Sequence, residues 1–337
     1  MKRYLALFMV VVLTLVTFAG CGGGTSGGSV KAIDLRMNIS TAESSTWYLG
    51  AVRFGDLIKE RTGGKYIVSV YANEQLSNGN QAKGIEMVQT GDTDVDIHST
   101  IVWSAIDQKL TVVSMPWLMT SYEQVDEMFA DGAAPGEAVK QILRDGGIVP
   151  LAFGEAGFRQ ILNNERAIVT PEDLKGLKIR VPGIAMYIDL YTQLGADPTA
   201  INYGETFTAL QQGAVDGLEN PLDLLVNNKF IEVGKYLTMW NYSYDLPVLS
   251  VSKKLWDSLS EEEKAIFHQS AVEAMDYQKE EARKVNDSYL EDVKKIVEVT
   301  ELTEAQMDRL KEAAAPVYET YRDEIGDELY AVFGYKG

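Results

Sequence analysis

Apolar and polar residues alternate along Ile33–Ile39, where Asp34, Arg36 and Asn38 interleave with Leu35, Met37 and Ile39, so this stretch predicts a strand. The period lengthens to that of an amphipathic helix over residues 47–61 and shortens to a strand again over 65–71. Gln81–Thr90 reads as a helix and 94–100 as a further strand; a second run of the same kind covers about 147–244. This βαβα order predicts an α/β chain with mainly parallel sheets. At 337 residues, two lobes are expected rather than one core.

One short pattern occurs twice. Val88-Gln89-Thr90-Gly91 is followed by Asp94, and Leu210-Gln211-Gln212-Gly213 by Asp216, each at the junction of a helix with a strand. The glycines suit left-handed helix caps. Further on, Ser260 and Glu263 form a capping box that opens a helix. No Pro or Gly interrupts it before about Val297, and Ile266, Ala271, Met275, Ala282, Val285, Tyr289, Val293 and Ile296 recur at helical spacing. Such a helix is about 55 Å long at 1.5 Å per residue, more than one lobe needs, and is expected to span both.

The N-terminus follows a different logic. Lys2 and Arg3 precede an apolar run and then Phe18-Ala19-Gly20-Cys21, which predicts an export signal over residues 1–20. Phe18-Ala19-Gly20-Cys21 is similar to a bacterial lipobox, making Cys21, the only cysteine, the expected lipid attachment site. The Gly/Ser-rich stretch within 21–31 reads as a flexible tether. An extracytoplasmic, lipid-anchored protein is therefore expected.

A net charge of −18 excludes a nucleic-acid binder, since phosphate contacts need clustered Lys and Arg. It also means that any anion site must supply its own positive charge. Asp92-Thr93-Asp94-Val95-Asp96 begins like a calcium loop, but Ile97 and Trp103 stand where Gly and Glu are required. His98 and His268 are the only histidines, and GxSxG and HExxH are absent, so no metal, cofactor or catalytic residue is expected. Alternation sends Ser99 and His98 to opposite faces, which defeats a triad there.

The segment PEDLKGLKIRVPG, residues 171–183, then places Arg180 at the end of a short strand, where α/β sheets carry ligands. Its five-donor fork suits a carboxylate, though an ion pair with an acid on a neighbouring helix is the favoured reading at this point. The order of several segments bears on that choice: Gln75-Leu76, Gln89-x-Gly91 with Asp96, Met115-Pro116-Trp117-Leu118, and Gly157-Phe158-Arg159. PEDLKGLKIRVP, Leu194-Gly195-Ala196, LQQGAVDGLENP and Glu232-Val233-Gly234-Lys235-Tyr236 continue the series. From about Asp34 onward the chain resembles the extracytoplasmic solute receptors of TRAP transporters, the tripartite ATP-independent family.

The resemblance implies a periplasmic-binding-protein-like fold with hinge strands. Lobe I is expected to comprise 32–156 plus 246–285, and lobe II 157–245 plus 286–337. It implies that Arg180 grips a ligand carboxylate, with Asn220 and Arg159 contributing to the site. Partners would be a small organic acid and the small and large integral membrane subunits of a transporter. Trp47 and His98 are further candidates, as is Glu155, which could pair with Arg159 or accept ligand hydroxyls; Tyr203 and Tyr242 are placed near the cleft walls. Glu155, His98 and Asn220 favour a sugar acid such as a hexuronate or aldonate, while two arginines would suit a C4-dicarboxylate. A secreted enzyme acting on acidic sugars, or a binding module for sensing alone, are the readings from other classes.

Overall fold

The computed structural model describes residues 31–335; the expected export signal, Cys21 and the Gly/Ser tract lie outside them. The strands are β1 (Ile33–Ile39), β2 (Tyr66–Tyr71), β3 (Val95–Ser99), β4 (Ile148–Phe153), β5 (Gly157–Asn163) and β6 (Lys178–Val181). They continue with β7 (Asp197–Ala200), β8 (Gly217–Pro221), β9 (Tyr236–Met239), β10 (Tyr244–Asp245), β11 (Pro247–Ser252) and β12 (Glu298–Glu301).

These strands form two sheets, one in each lobe of an α/β fold. The first has the order β2-β1-β3-β11-β4; the second runs β12-β9-β5-β8-β6-β7, with β10 beside β5. Both are mixed rather than mainly parallel. In the first, β1 pairs in parallel with β2 and β3, whereas β11 is antiparallel to β3 and β4. The chain leaves the first sheet after β4, builds most of the second, and returns through Leu246 into β11. A strand that comes back in this way can run against its neighbours, which no local pattern discloses.

The duplicated sequence pattern is a duplicated structural device. Gly91 and Gly213 take positive φ (74° and 72°) at the ends of helices Gln81–Thr90 and Thr206–Gln211. Three residues on, the Asp94 carboxylate accepts the backbone N–H of Arg36 (2.8 Å), and Asp216 accepts that of Lys178 (2.9 Å). Each aspartate thereby fastens the start of a core strand to its neighbour, β3 to β1 and β8 to β6.

The long helix is Glu261–Val293, about 50 Å at 1.5 Å per residue, and it opens with the Ser260–Glu263 capping box. It packs on helix Thr46–Arg61 and β4 at one end and on helix Leu222–Asn227 at the other, so it braces both lobes. Its C-terminus comes earlier than expected because Glu298 N donates to Lys235 O (2.8 Å), drawing the chain into β12. Ile296, part of the apolar series, is 58 % exposed. At mid-helix, Gln278 binds the backbone N–H and C=O of Glu155 (2.8 and 2.7 Å) and Thr46 Oγ1 (3.1 Å). This clamps the crossover between β4 and β5. The approach is so close that a Cβ on Gly154 would lie 2.3 Å from Met275 Cε. Among the described residues no helix is long and apolar enough to cross a membrane.

Candidate ligand-binding site

Between the two sheets lies a cavity of ≈ 30 Å³ whose lining includes Trp47, Arg159, Arg180, Tyr203, Asn220 and Asp245. Four sequence candidates (Trp47, Arg159, Arg180 and Asn220) thus meet in one place. The topology explains why. Arg180 on β6 stands one strand from β8, which carries Asn220, and β8 pairs with β5, which carries Arg159. Trp47 comes from the first helix of the other lobe.

Arg180 is 2 % exposed, and its Nε and Nη2 both donate to Ile201 O (3.0 and 2.8 Å). The Tyr203 ring sits 5.6 Å from the guanidinium carbon. Among the described residues no carboxylate lies within ion-pair distance of it. Burial pushes its pKa down to about 10, against the opposing pull of the Glu219 charge. Close by, Trp47 Nε1, Tyr203 Oη and Asn220 Nδ2 are buried without a hydrogen-bond partner among the described residues. Such groups are uncommon, and three around one cavity mark a surface arranged to donate.

Arg159 is in a different state. Its Nε donates to Glu219 Oε2, its Nη1 to Asp245 Oδ2, and its Nη2 to Glu219 Oε1 (2.8 Å) and Asn220 Oδ1 (2.9 Å). Burial alone would lower its pKa, but the Glu219 carboxylate outweighs that and holds it well above the usual value. Tyr242, buried rather than lining the cavity, donates its hydroxyl to Glu219 Oε2 (2.6 Å) and so fixes that carboxylate. Asp245 is held by Ser99 Oγ as well as by Arg159, and burial pushes its carboxyl upward against the pull of Arg159.

His98 and Glu155 lie outside the cavity lining. His98 is fully buried, with Nδ1 2.7 Å from Asp96 Oδ2 and Nε2 2.6 Å from Glu74 Oε1. Burial would lower its pKa, yet the Glu74 charge pushes it up to about 10; Glu74, despite burial, is held at about 2 by His98. Glu155 pairs with Arg283 (Nη2 to Oε2, 2.8 Å) and accepts Tyr244 Oη (3.0 Å) instead of meeting Arg159. In an unbroken strand, residues four apart would share a face. Gly157, at φ 100°, interrupts the extended run between the two residues, so the alternation does not carry through.

Ser40 joins the site through this network: its hydroxyl donates to Glu74 Oε1 (2.7 Å) while the residue lines the cavity. A second cavity of ≈ 380 Å³ shares Ser40 and Tyr203 with the first and opens between Gly79 and Gly204. There the lobes touch, since a Cβ on Gly204 would come 3.3 Å from Gly79 Cα. Asp245, Glu219 and Ser40 had been missed as site residues. The one signal for Asp245 was an acid inside the largely apolar stretch 240–251. Among the described residues no cluster of His, Cys, Asp or Glu is arranged to hold a metal.

The family model for bacterial extracellular solute-binding proteins, family 7, matches residues 37–324. A TRAP periplasmic solute binding protein from Ralstonia eutropha, with bound (S)-2-acetolactate, is 34 % identical and superposes with a TM-score of 0.85, over 90 % of this chain and 98 % of that one. The sugar acid binding protein DctPAm of Advenella mimigardefordensis, in complex with galactonate, is 28 % identical with a TM-score of 0.86, over 91 % and 98 %. The C4-dicarboxylate-binding periplasmic protein DctP of Rhodobacter capsulatus is 30 % identical over 288 residues, 84 % of each chain.

Proposed function

Since the chain belongs to the bacterial extracellular solute-binding proteins of family 7, we propose that Arg180 clamps the carboxylate of its ligand, with Trp47, Tyr203 and Asn220 donating to adjacent oxygens. The protein is a TRAP solute receptor for small organic acids, not an enzyme. The observation that carries the Arg180 reading is a guanidinium 2 % exposed with no carboxylate partner among the described residues, ringed by unpaired donors. An isolated buried charge is costly, and a ligand carboxylate relieves that cost with charge-assisted hydrogen bonds.

At ≈ 30 Å³ the cavity has room for about one water and not for an organic acid, so entry requires the lips at Gly79 and Gly204 to part. The crossovers through 154–156 and Leu246 are the hinges in this reading, which makes 32–156 plus 246–285 one moving body and 157–245 plus 286–337 the other. Closure puts groups from both bodies on the ligand and stabilises the shut form. That form is then handed to the small and large membrane subunits of the transporter, with Cys21 as the lipid-bearing residue that keeps the receptor at the membrane.

For the ligand, a hydroxylated acid such as an aldonate or hexuronate is favoured, with Ser40 and Asp245 in the hydroxyl-facing roles first assigned to His98 and Glu155. Two arginines in one cavity are the observation on the side of a C4-dicarboxylate. Calorimetry with aldonates, hexuronates, C4-dicarboxylates and 2-oxo acids tests the reading. Arg180→Ala should weaken the bound acid by about 10- to 100-fold, given ~1.5–3 kcal/mol for hydrogen bonds to charged groups. Full affinity in that variant would remove the clamp.

A further inference from the structure

We infer that Asp245 is a specificity-determining residue that restricts the ligand to acids with a single carboxylate and with hydroxyl groups on the remainder. The inference rests on the Arg180 clamp proposed above and concerns what lies at the other end of the molecule.

Two arginines in one cavity suggest two carboxylates, but the structure does not offer them equally. Arg159 is already engaged by two acids, Glu219 through Nε and Nη2 and Asp245 through Nη1. Arg180 has none among the described residues. Counting formal charges, Arg159 and Arg180 are balanced by Glu219 and Asp245 before any ligand arrives. One ligand carboxylate facing Arg180 adds a single negative charge beside the one uncommitted cation. A second would add another, and it would have to approach Arg159 past the carboxylates that already hold it.

None of these four groups is more than 4 % exposed at its residue or ion-paired side chain, so water screens the repulsion poorly. At ~6 Å and an effective dielectric constant near 20, one such like-charge contact changes affinity by roughly a hundredfold.

What Asp245 offers in place of repulsion is acceptance. Its two oxygens each take one hydrogen bond, from Ser99 and from Arg159, and a carboxylate has room for more. Ser40 likewise spends its proton on Glu74 and turns lone pairs toward any neighbour. These acceptors call for O–H donors on the ligand, which a hydroxy acid has and a second ionised carboxylate lacks. Asp245 arrives on a two-residue strand, paired with Gly157 at the edge of the crossover, so its placement depends on the same segment that joins the lobes.

The test is calorimetric titration of matched pairs that differ only in whether the terminal carbon is CH2OH or carboxylate. Glycerate against tartronate, erythronate against tartrate, and galactonate against galactarate cover three chain lengths. The wild-type chain should prefer the monocarboxylate at least tenfold in whichever pair it binds. Asp245→Asn should reduce that preference at least tenfold, and Asp245→Glu should retain it. Equal or tighter binding of the dicarboxylate by the wild type overturns the inference without needing a variant. An unchanged ratio in a folded Asp245→Asn overturns it as well, and a preference for propionate over 3-hydroxypropionate removes the hydroxyl assignment. In each of these cases an acid still binds and the receptor reading stands. No binding of any acid in these pairs, or Arg180-independent binding, would end the Arg180 clamp and this inference together.

Discussion

Replacing His98 by leucine separates a structural role from a ligand-binding one. His98 bridges Asp96 and Glu74 in a fully buried site, and its removal leaves two carboxylates without their cation. Removing one partner of a buried ion pair typically costs ~3–5 kcal/mol. Here Glu74 keeps Asn38, Ser40 and Ser77 as donors and Asp96 keeps Ser250, so the lower end applies, ~3 kcal/mol. For a chain of this size that corresponds to a Tm lowered by roughly 4–5 °C. The pH dependence supplies a second readout. The His98 pKa is raised to about 10, so its contribution is complete below the ordinary histidine value near 6.5 and is lost as pH rises through 10. The deficit of the variant should therefore be largest between about pH 4.5 and 6.5 and shrink toward pH 10. On the acid side, Glu74 is depressed to about 2, and its contribution fades as pH falls from about 4.5 toward 2 in the wild type. The assay is urea unfolding across pH, with ligand affinity measured on the folded variant. A Tm within 2 °C of wild type together with a tenfold loss of affinity would refute this account and make His98 a ligand contact.

Other substitutions probe the moving parts. Gly204→Val should crowd Gly79 at the lip, raising the ligand dissociation rate in stopped-flow while leaving the ligand-free Tm nearly unchanged. Gln278→Ala strips the clamp from the backbone of Glu155 and leaves a buried N–H and C=O unpaired, an expected loss of about 3 kcal/mol in urea unfolding. Cys21→Ser should move the protein from the membrane to the soluble extracytoplasmic fraction, read by fractionation and by loss of labelled fatty acid.

Local features of the chain were legible in its sequence. Helix Gln81–Thr90 appears as the period predicted, the Ser260–Glu263 capping box forms, and the Gln-x-Gly-x-x-Asp echo marks equivalent turns in both sheets. Arg180, Arg159 and Asn220 share one cavity, an association that the resemblance carried and spacing does not; Trp47, singled out from its own helix start, lines it too. The rest depended on distant partners. Glu155 lies near Arg159 in sequence, but its cation is Arg283, 128 positions away. His98 finds Glu74 24 positions upstream, so both candidates have ion-pair partners that their sequence neighbourhoods do not disclose. Sheet polarity was misread for the same reason: β11 runs against both of its neighbours only because the chain has first visited the other sheet.

That detour has a consequence for biosynthesis. Ser250 of β11 meets Asp96 of β3, 154 positions earlier, so the first sheet keeps a raw edge along β3 until the C-terminal third has been made. At 5–20 residues per second the wait is about 8–30 s. An unpaired central strand is a template for aggregation throughout that interval. Neither lobe is contiguous in the chain, so neither can mature while the other is still being translated. A nascent receptor of this design is better kept unfolded until its last helices are delivered, and its folding rate is set by the closure of that long loop rather than by any of its helices.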